Sequence, residues 1–236
     1  MKRYLSLSLV GISTLLASVC FAGSAADVPL ATNQTNQMND ASDTAQGPWL
    51  IRTRAIVVDP RASSDTIHPG LGGHADDIST EATVEFDVNY FFTKNISTEL
   101  ILATTKHNVE ARNTILGDVN LGTVNLLPPT LTALYHFSPE SRISPYIGVG
   151  INYTDFYSVN PGSVATSVDY KNSIGPALQA GFDVAIDNHW SLNADVKKIY
   201  INSDVSVETG GLLPTQKTSV DINPLVFGVG FGYRFS

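Results

Sequence analysis

Ten charged residues have spacings that make them candidate partners. Arg52 and Arg54, Glu85 and Asp87, and Asp195 and Lys197 are each two positions apart, with Glu81 in phase with Glu85. On an extended strand, residues two apart point to the same side. Glu99, Asp183 and Arg234 keep the same phase in other segments. Six acids and four bases enclosed together must pair, because an isolated buried charge is costly. Arg52, Glu85, Asp87, Glu99, Asp183, Asp195 and Arg234 lie toward one end of their segments, which predicts a salt-bridge network closing that end. The plain reading of such a network is a polar core; the sharper one is a gated ion path. Leu50, Ile56, Ile101, Leu134, Ile199 and Ile201 share this face. They predict an apolar section toward the other end, serving either a hydrophobic ligand or simple packing.

Other chemistries find less support. His68 and His74 share a Gly-rich link with Asp65, Asp76 and Asp77, where a solvated loop competes with a surface metal site. No zinc-ligand spacing, HExxH or phosphate-binding glycine loop occurs, so neither metal nor cofactor is expected. His136 and Ser138 are the best pair for lipid ester chemistry, but Ser138 falls at a turn, and the chain is not expected to be an enzyme.

The elements that must position these residues alternate with period two, the strand signal. Leu225, Phe227, Val229, Phe231, Tyr233 and Phe235 oppose Val226, Gly228, Gly230, Gly232 and Arg234; Ala82, Val84, Phe86, Val88, Tyr90 and Phe92 oppose Glu81, Thr83, Glu85, Asp87 and Asn89. Eight such segments cover about 48–59, 77–92, 95–107, 119–137, 143–157, 171–186, 189–202 and 219–235. Short and long links strictly alternate between them, the long ones at 60–76, 108–118, 158–170 and 203–218. A soluble sandwich would turn the apolar face to its core; a membrane barrel turns it to lipid. Segment length favours the barrel, since several exceed the ~9–11 residues of a tilted crossing. So do Trp49, Tyr90, Phe92, Phe137, Trp190, Tyr233 and Phe235, which cluster at the short-link ends as an interfacial girdle. The expected fold is all-β: a closed, eight-stranded antiparallel transmembrane barrel of the outer-membrane type. Pro128 and Pro129 interrupt the fourth segment and, lacking N–H donors, predict a local gap in its ladder.

Composition agrees. Only 15% of the 236 residues are charged and mean hydropathy is +0.05, against roughly 25% charge in an ordinary soluble domain. Averaging a lipid face with a luminal face produces this mixture. A net charge of −8 argues against nucleic acid, and the single Cys excludes a disulfide framework. Lys2 and Arg3 precede the uncharged run 5–21, and Cys20 and Ala22 place small residues at −3 and −1 of a cut after Ala22. Residues 1–22 are therefore read as a secretory signal peptide. Its removal would take two of the 14 basic residues and none of the 22 acids, moving the net charge from −8 to −10. Residues 23–47, polar and without period, are read as a flexible N-terminal periplasmic extension, and 48–236 as the barrel.

Three stretches carry a family resemblance. Leu127-Pro128-Pro129-Thr130-Leu131, the run Pro145-Tyr146-Ile147-Gly148-Val149-Gly150-Ile151-Asn152-Tyr153-Thr154, and the terminal Gly232-Tyr233-Arg234-Phe235 resemble the OmpW family of outer-membrane proteins over about 48–235. The resemblance implies both termini in the periplasm and a narrow channel for passive passage of small hydrophobic molecules, without cofactor or energy source. It also implies long loops that can act as receptor or antigen surfaces; a closed barrel acting through those loops alone is the alternative. Given apolar ligands, a gap at Pro128 and Pro129 becomes a candidate lateral exit. Tyr233 and Phe235 would carry the signal read by the outer-membrane assembly machinery, offset by Ser236. Lys197 and Lys198 depart from the more apolar strand expected there. Outer-membrane lipid is the expected surrounding, with a monomer by default.

Overall fold

The computed structural model describes residues 46–162, 165–211 and 213–236. The signal peptide and almost all of the extension read from the sequence lie outside the described residues. Among the described residues fifteen strands follow one another: β1 Trp49–Asp59, β2 Ser63–Ser64, β3 His74–Ile78, β4 Glu81–Phe91, β5 Ile96–Ala103, β6 Thr105–Thr114, β7 Gly117–Leu127, β8 Thr130–His136, β9 Ile143–Pro161, β10 Ser167–Tyr170, β11 Ser173–Ala185, β12 Trp190–Ile199, β13 Asn202–Glu208, β14 Gln216–Asp221 and β15 Leu225–Arg234.

Eight of them close a barrel in the order β1-β4-β5-β8-β9-β11-β12-β15, with β15 returning to β1. Every pairing is antiparallel. Closure gives every strand of the ring a neighbour on both sides, the condition for spanning lipid. The short links form tight turns. Asp187 accepts the N–H groups of His189 and Trp190 at 2.8 and 2.7 Å, which hold its carboxyl below the usual carboxylate range. Lys94 and Glu140 join two neighbouring turns as an exposed ion pair.

The alternation sets which side chains meet the surroundings. Outward on the eight strands are Ile51, Phe86, Leu100, Leu131, Val149, Leu192 and Val229, all exposed. The aromatic girdle sits at the short-turn end, with Trp49 against Tyr90 at 4.8 Å, Trp190 against Tyr233 at 5.0 Å and Tyr233 against Phe235 at 5.1 Å.

The long links differ from the expectation of loops. The expected 119–137 crossing is split at Pro128 and Pro129 into β7 and β8; β6 and β7 extend the wall past β5 and β8, pairing with β3 and the far half of β9. β10, β13, β14 and β2 form a four-stranded sheet. Here the faces are exchanged. Lys106, Asn108, Arg112, Asp204, Lys217 and Asp221 point outward and are exposed, while Val109, Leu121, Val124, Val205, Val207 and Val220 are buried inside. Val205 and Val207 do alternate in the sequence, but over a run shorter than a membrane crossing, so 203–218 reads as a link; Val220, expected at the start of the 219–235 crossing, instead belongs to β14.

Candidate functional site

A layer of charge crosses the barrel interior. Arg52 reaches Glu99 at 2.7 Å and Asp183 at 2.6 Å. Arg54 is surrounded by Glu85 at 3.0 Å, Asp87 at 2.8 Å, Glu99 at 3.1 Å and Asp195 at 2.5 Å. Lys197 bridges Glu85 at 2.5 Å and Asp195 at 3.0 Å. Register explains the convergence: Arg52 and Arg54 stand opposite Asp87 and Glu85 on β4, and opposite Gly232 and Gly230 on β15. Glycine leaves room for these long side chains. A Cβ at Gly228 would lie 2.6 Å from Asp195 Oδ1, and one at Gly181 2.6 Å from the Tyr146 hydroxyl.

Neutral amides complete the layer. Gln179 donates to Glu99 at 2.7 Å and Asp195 at 2.9 Å, Asn89 to Glu99 at 3.0 Å, and Asn193 to Asp183 at 3.0 Å. Arg52 also lies over the Tyr146 ring, 5.3 Å from its centroid. Sequence reasoning left these four neutral residues out of the network. Asn89 and Gln179 were in phase with the charges, but an amide gives no charge signal. Asp87 is the least satisfied member: Arg54 is near, yet neither carboxyl oxygen receives a hydrogen bond, and Asn89 Oδ1 is likewise without a donor.

Two expected members lie elsewhere. Arg234 is half-buried nearer the short turns, donating to the Gly47 carbonyl at 2.9 Å and stacking over Phe91 at 3.9 Å. Glu81 sits near the far end of β4 and accepts from Ser79 at 2.8 Å. Both follow from position: Arg234 ends β15 and Glu81 begins β4, several residues of rise from Arg54.

The apolar set is divided by this layer. Ile56, Ile101, Ile199 and Ile201 lie on its far side, lining an apolar cavity whose floor includes Glu85. A second apolar cavity follows beyond it, and the two share His107, Leu126 and Ile222. Leu50 and Leu134 do not belong to this section, contrary to the sequence reading. Leu50 pairs with Arg234 and Asn89, and Leu134 with Ser97, which puts both on the short-turn side of the charges. There Leu50 joins Phe91, His136, Asp183 and Arg234 around an open vestibule.

His107, missed by the sequence reading as a luminal group, has Nδ1 2.7 Å from the Ser79 carbonyl and Nε2 3.0 Å from Thr105 Oγ1. The carbonyl requires Nδ1 to donate, so Nε2 accepts from the hydroxyl. His136 meets Ser97 at 3.0 Å rather than Ser138, and its ring lies between Phe91 and Tyr146. His74 bonds the Ser64 carbonyl, and among the described residues no group of three or more His, Cys, Asp or Glu is placed to hold a metal. Lys198 points outward and donates to the Asn223 carbonyl at 2.5 Å.

At Pro128 and Pro129 one edge of the wall is interrupted. The ladder of β5 with β8 ends at Ile101 and Thr130, and that of β6 with β7 begins at Thr105 and Leu126. On the other edge pairing to β9 continues, with Tyr153 N–H donating to the Pro129 carbonyl at 3.0 Å. The Asn152 amide caps the Pro128 carbonyl at 3.1 Å and Thr130 Oγ1 at 2.8 Å.

The OmpW family profile matches residues 45–235, the whole barrel and its extracellular extension. The chain belongs to the OmpW family. Outer membrane protein W of Salmonella typhi is 36% identical over 189 residues, covering 74% of this chain and 86% of that protein. An uncharacterised outer-membrane protein of Sinorhizobium fredii, y4mB, is 36% identical over 220 residues, 93% of this chain and 94% of its own. The crystal structure of OprG from Pseudomonas aeruginosa superposes with a TM-score of 0.73 at 28% identity, covering 80% of this chain and 97% of OprG. This OmpW-family barrel is thus an outer-membrane protein, and its outward apolar belt is the surface that meets lipid.

Proposed function

We propose that this OmpW-family barrel is a passive channel for small hydrophobic molecules. The observation that carries the reading is the pair of adjoining apolar cavities inside the wall, ending on a layer of buried ion pairs. A molecule entering from the extracellular side is desolvated by isoleucine and valine side chains, and partition down its gradient needs no energy source or cofactor. The charge layer blocks the straight path to the periplasm. A sideways route into the membrane past Pro128 and Pro129 is the exit this reading adopts. It starts from two observations: Pro128 lines the lower cavity, and 102–104 have no ladder partner on the β8 side, while Leu102 and Ala103 keep their pairing with β4. Tyr233 and Phe235 at the end of β15 supply the terminal aromatic pattern for the assembly machinery.

Deleting the protein is expected to lower entry of a small uncharged hydrocarbon into intact cells, while planar-bilayer recordings show little steady ion current. Normal uptake in the deletion strain together with silent recordings would overturn the channel and leave a barrel that works through its extracellular surface. Replacing Pro128 and Pro129 with valine restores two N–H donors to the wall and should reduce uptake with the barrel still folded. Unchanged uptake in that variant would remove the lateral route alone.

A further inference from the structure

Resting on the channel reading, we infer that the cavity selects by charge as well as by polarity: it admits an uncharged apolar compound and rejects the carboxylate of the same chain length. Three independent observations carry this. The wall of the lower cavity contains no Lys or Arg side chain; its one charged residue is Glu85. Its polar groups have their hydrogens committed: Thr130 donates to the Pro128 carbonyl at 3.0 Å, His107 to the Ser79 carbonyl, and Thr105 to His107. The upper cavity adds Ser203, which donates to the Lys171 carbonyl at 2.7 Å, and the Tyr170 phenol, a single neutral group. A carboxylate entering this column would lose its water and find no cation and almost no donor.

The floor points the same way. Its ion-pair layer joins five acids, Glu85, Asp87, Glu99, Asp183 and Asp195, to three bases, Arg52, Arg54 and Lys197. The bases face inward among those acids, and Lys197 is held between Glu85 and Asp195. What the layer leaves unused is acceptor capacity on Asp87 and Asn89; its one unbonded donor, Arg54 Nε, stands 3.0 Å from Glu85. Excess negative charge below a water-poor column repels an anion over the whole length of the cavity, because low-dielectric walls screen it little.

The test reads the cavity wall directly. The full chain, methyl-labelled at isoleucine, is placed in lipid nanodiscs and titrated with 1-decanol or with decanoate at about pH 9, where a carboxylic acid is ionised. Both are compared at equal membrane loading. The methyl signals of Ile56, Ile101, Ile199 and Ile201 should shift with decanol and require at least about tenfold more decanoate, a difference of about 1.4 kcal/mol. Glu85→Gln should narrow that gap, with folding verified by the retained gel mobility of the unheated barrel. Equal shifts from both compounds in the wild-type protein would overturn the charge selection and leave the channel reading standing. No shift from either compound would overturn both.

Discussion

Within the membrane the wall turns Phe86, Leu131 and Val229 outward and Arg54, Glu85 and Lys197 inward. Beyond it the wall turns Lys106, Asp204 and Lys217 outward and Val109, Val205 and Val220 inward. The strand period is the same in both regions, so the backbone does not choose which face is apolar. The solvent outside chooses. Lipid accepts hydrocarbon and forces the polar set inward, where it must neutralise itself. Water accepts the charges and lets the hydrocarbon form an ordinary core. The two apolar cavities lie where one arrangement gives way to the other, the level at which apolar side chains first line the interior.

The contrast can be broken most sharply at Arg54. Arg54→Leu leaves Glu85, Asp87, Glu99 and Asp195 without their shared cation and should cost about 3–5 kcal/mol, read as the unfolding free energy in lipid vesicles. A loss near zero would mean that the layer is solvated. Next, Phe86→Arg should cost about 2–4 kcal/mol as a charge on the lipid face. Asn108→Arg, equally outward but beyond the membrane, should stay within about 0.5 kcal/mol; comparable losses would erase the boundary between the regions. In the extracellular core, Ile67→Val should cost about 0.5–1.5 kcal/mol. That loss should appear as faster proteolysis of the β13–β14 hairpin, with the membrane barrel intact.

The smallest effect is a titration. Burial pushes the His107 imidazole below its usual value near 6.5, more than its bond to Ser79 raises it. The neutral ring is the form the fold keeps, so its contribution is complete above about pH 6.5 and is lost as the pH falls through the lowered value. A ring titration followed by NMR should show His107 protonating below the ordinary imidazole value near 6.5. A midpoint at or above that value would place water around His107.

The eight crossings were legible because a lipid-facing strand must alternate for its full length, and 81–91 and 225–234 do so without a break. The girdle was legible because large aromatics mark strand ends. The inward phase of the charges was legible too, since Arg52 and Arg54 cannot face lipid. Height was harder. Phase shows which way a side chain points but not how far along the axis it sits, so Leu50 and Leu134 were grouped with isoleucines from the other side of the charges. Most of the extracellular sheet falls in the links 60–76, 158–170 and 203–218, because its strands, such as 202–208, are short and carry charge on the outer face. The β3 and β6 pairing, with its register shift between His74 and Asp77, depends on partners that no local pattern names.

The seam between β1 and β15 sets the order of events during biogenesis. Leu50 stands opposite Arg234, Gly47 N–H donates to the Phe235 carbonyl at 2.8 Å, and Phe235 N–H donates to the Trp49 carbonyl at 3.0 Å. The first and last strands are therefore each other's only way of completing the ring, and they come from opposite ends of the chain. Contacts so distant in sequence form late. Until β15 is in place, β1 exposes an adhesive edge to any neighbouring chain. A barrel lacking either strand would keep that edge open instead of closing as a smaller ring.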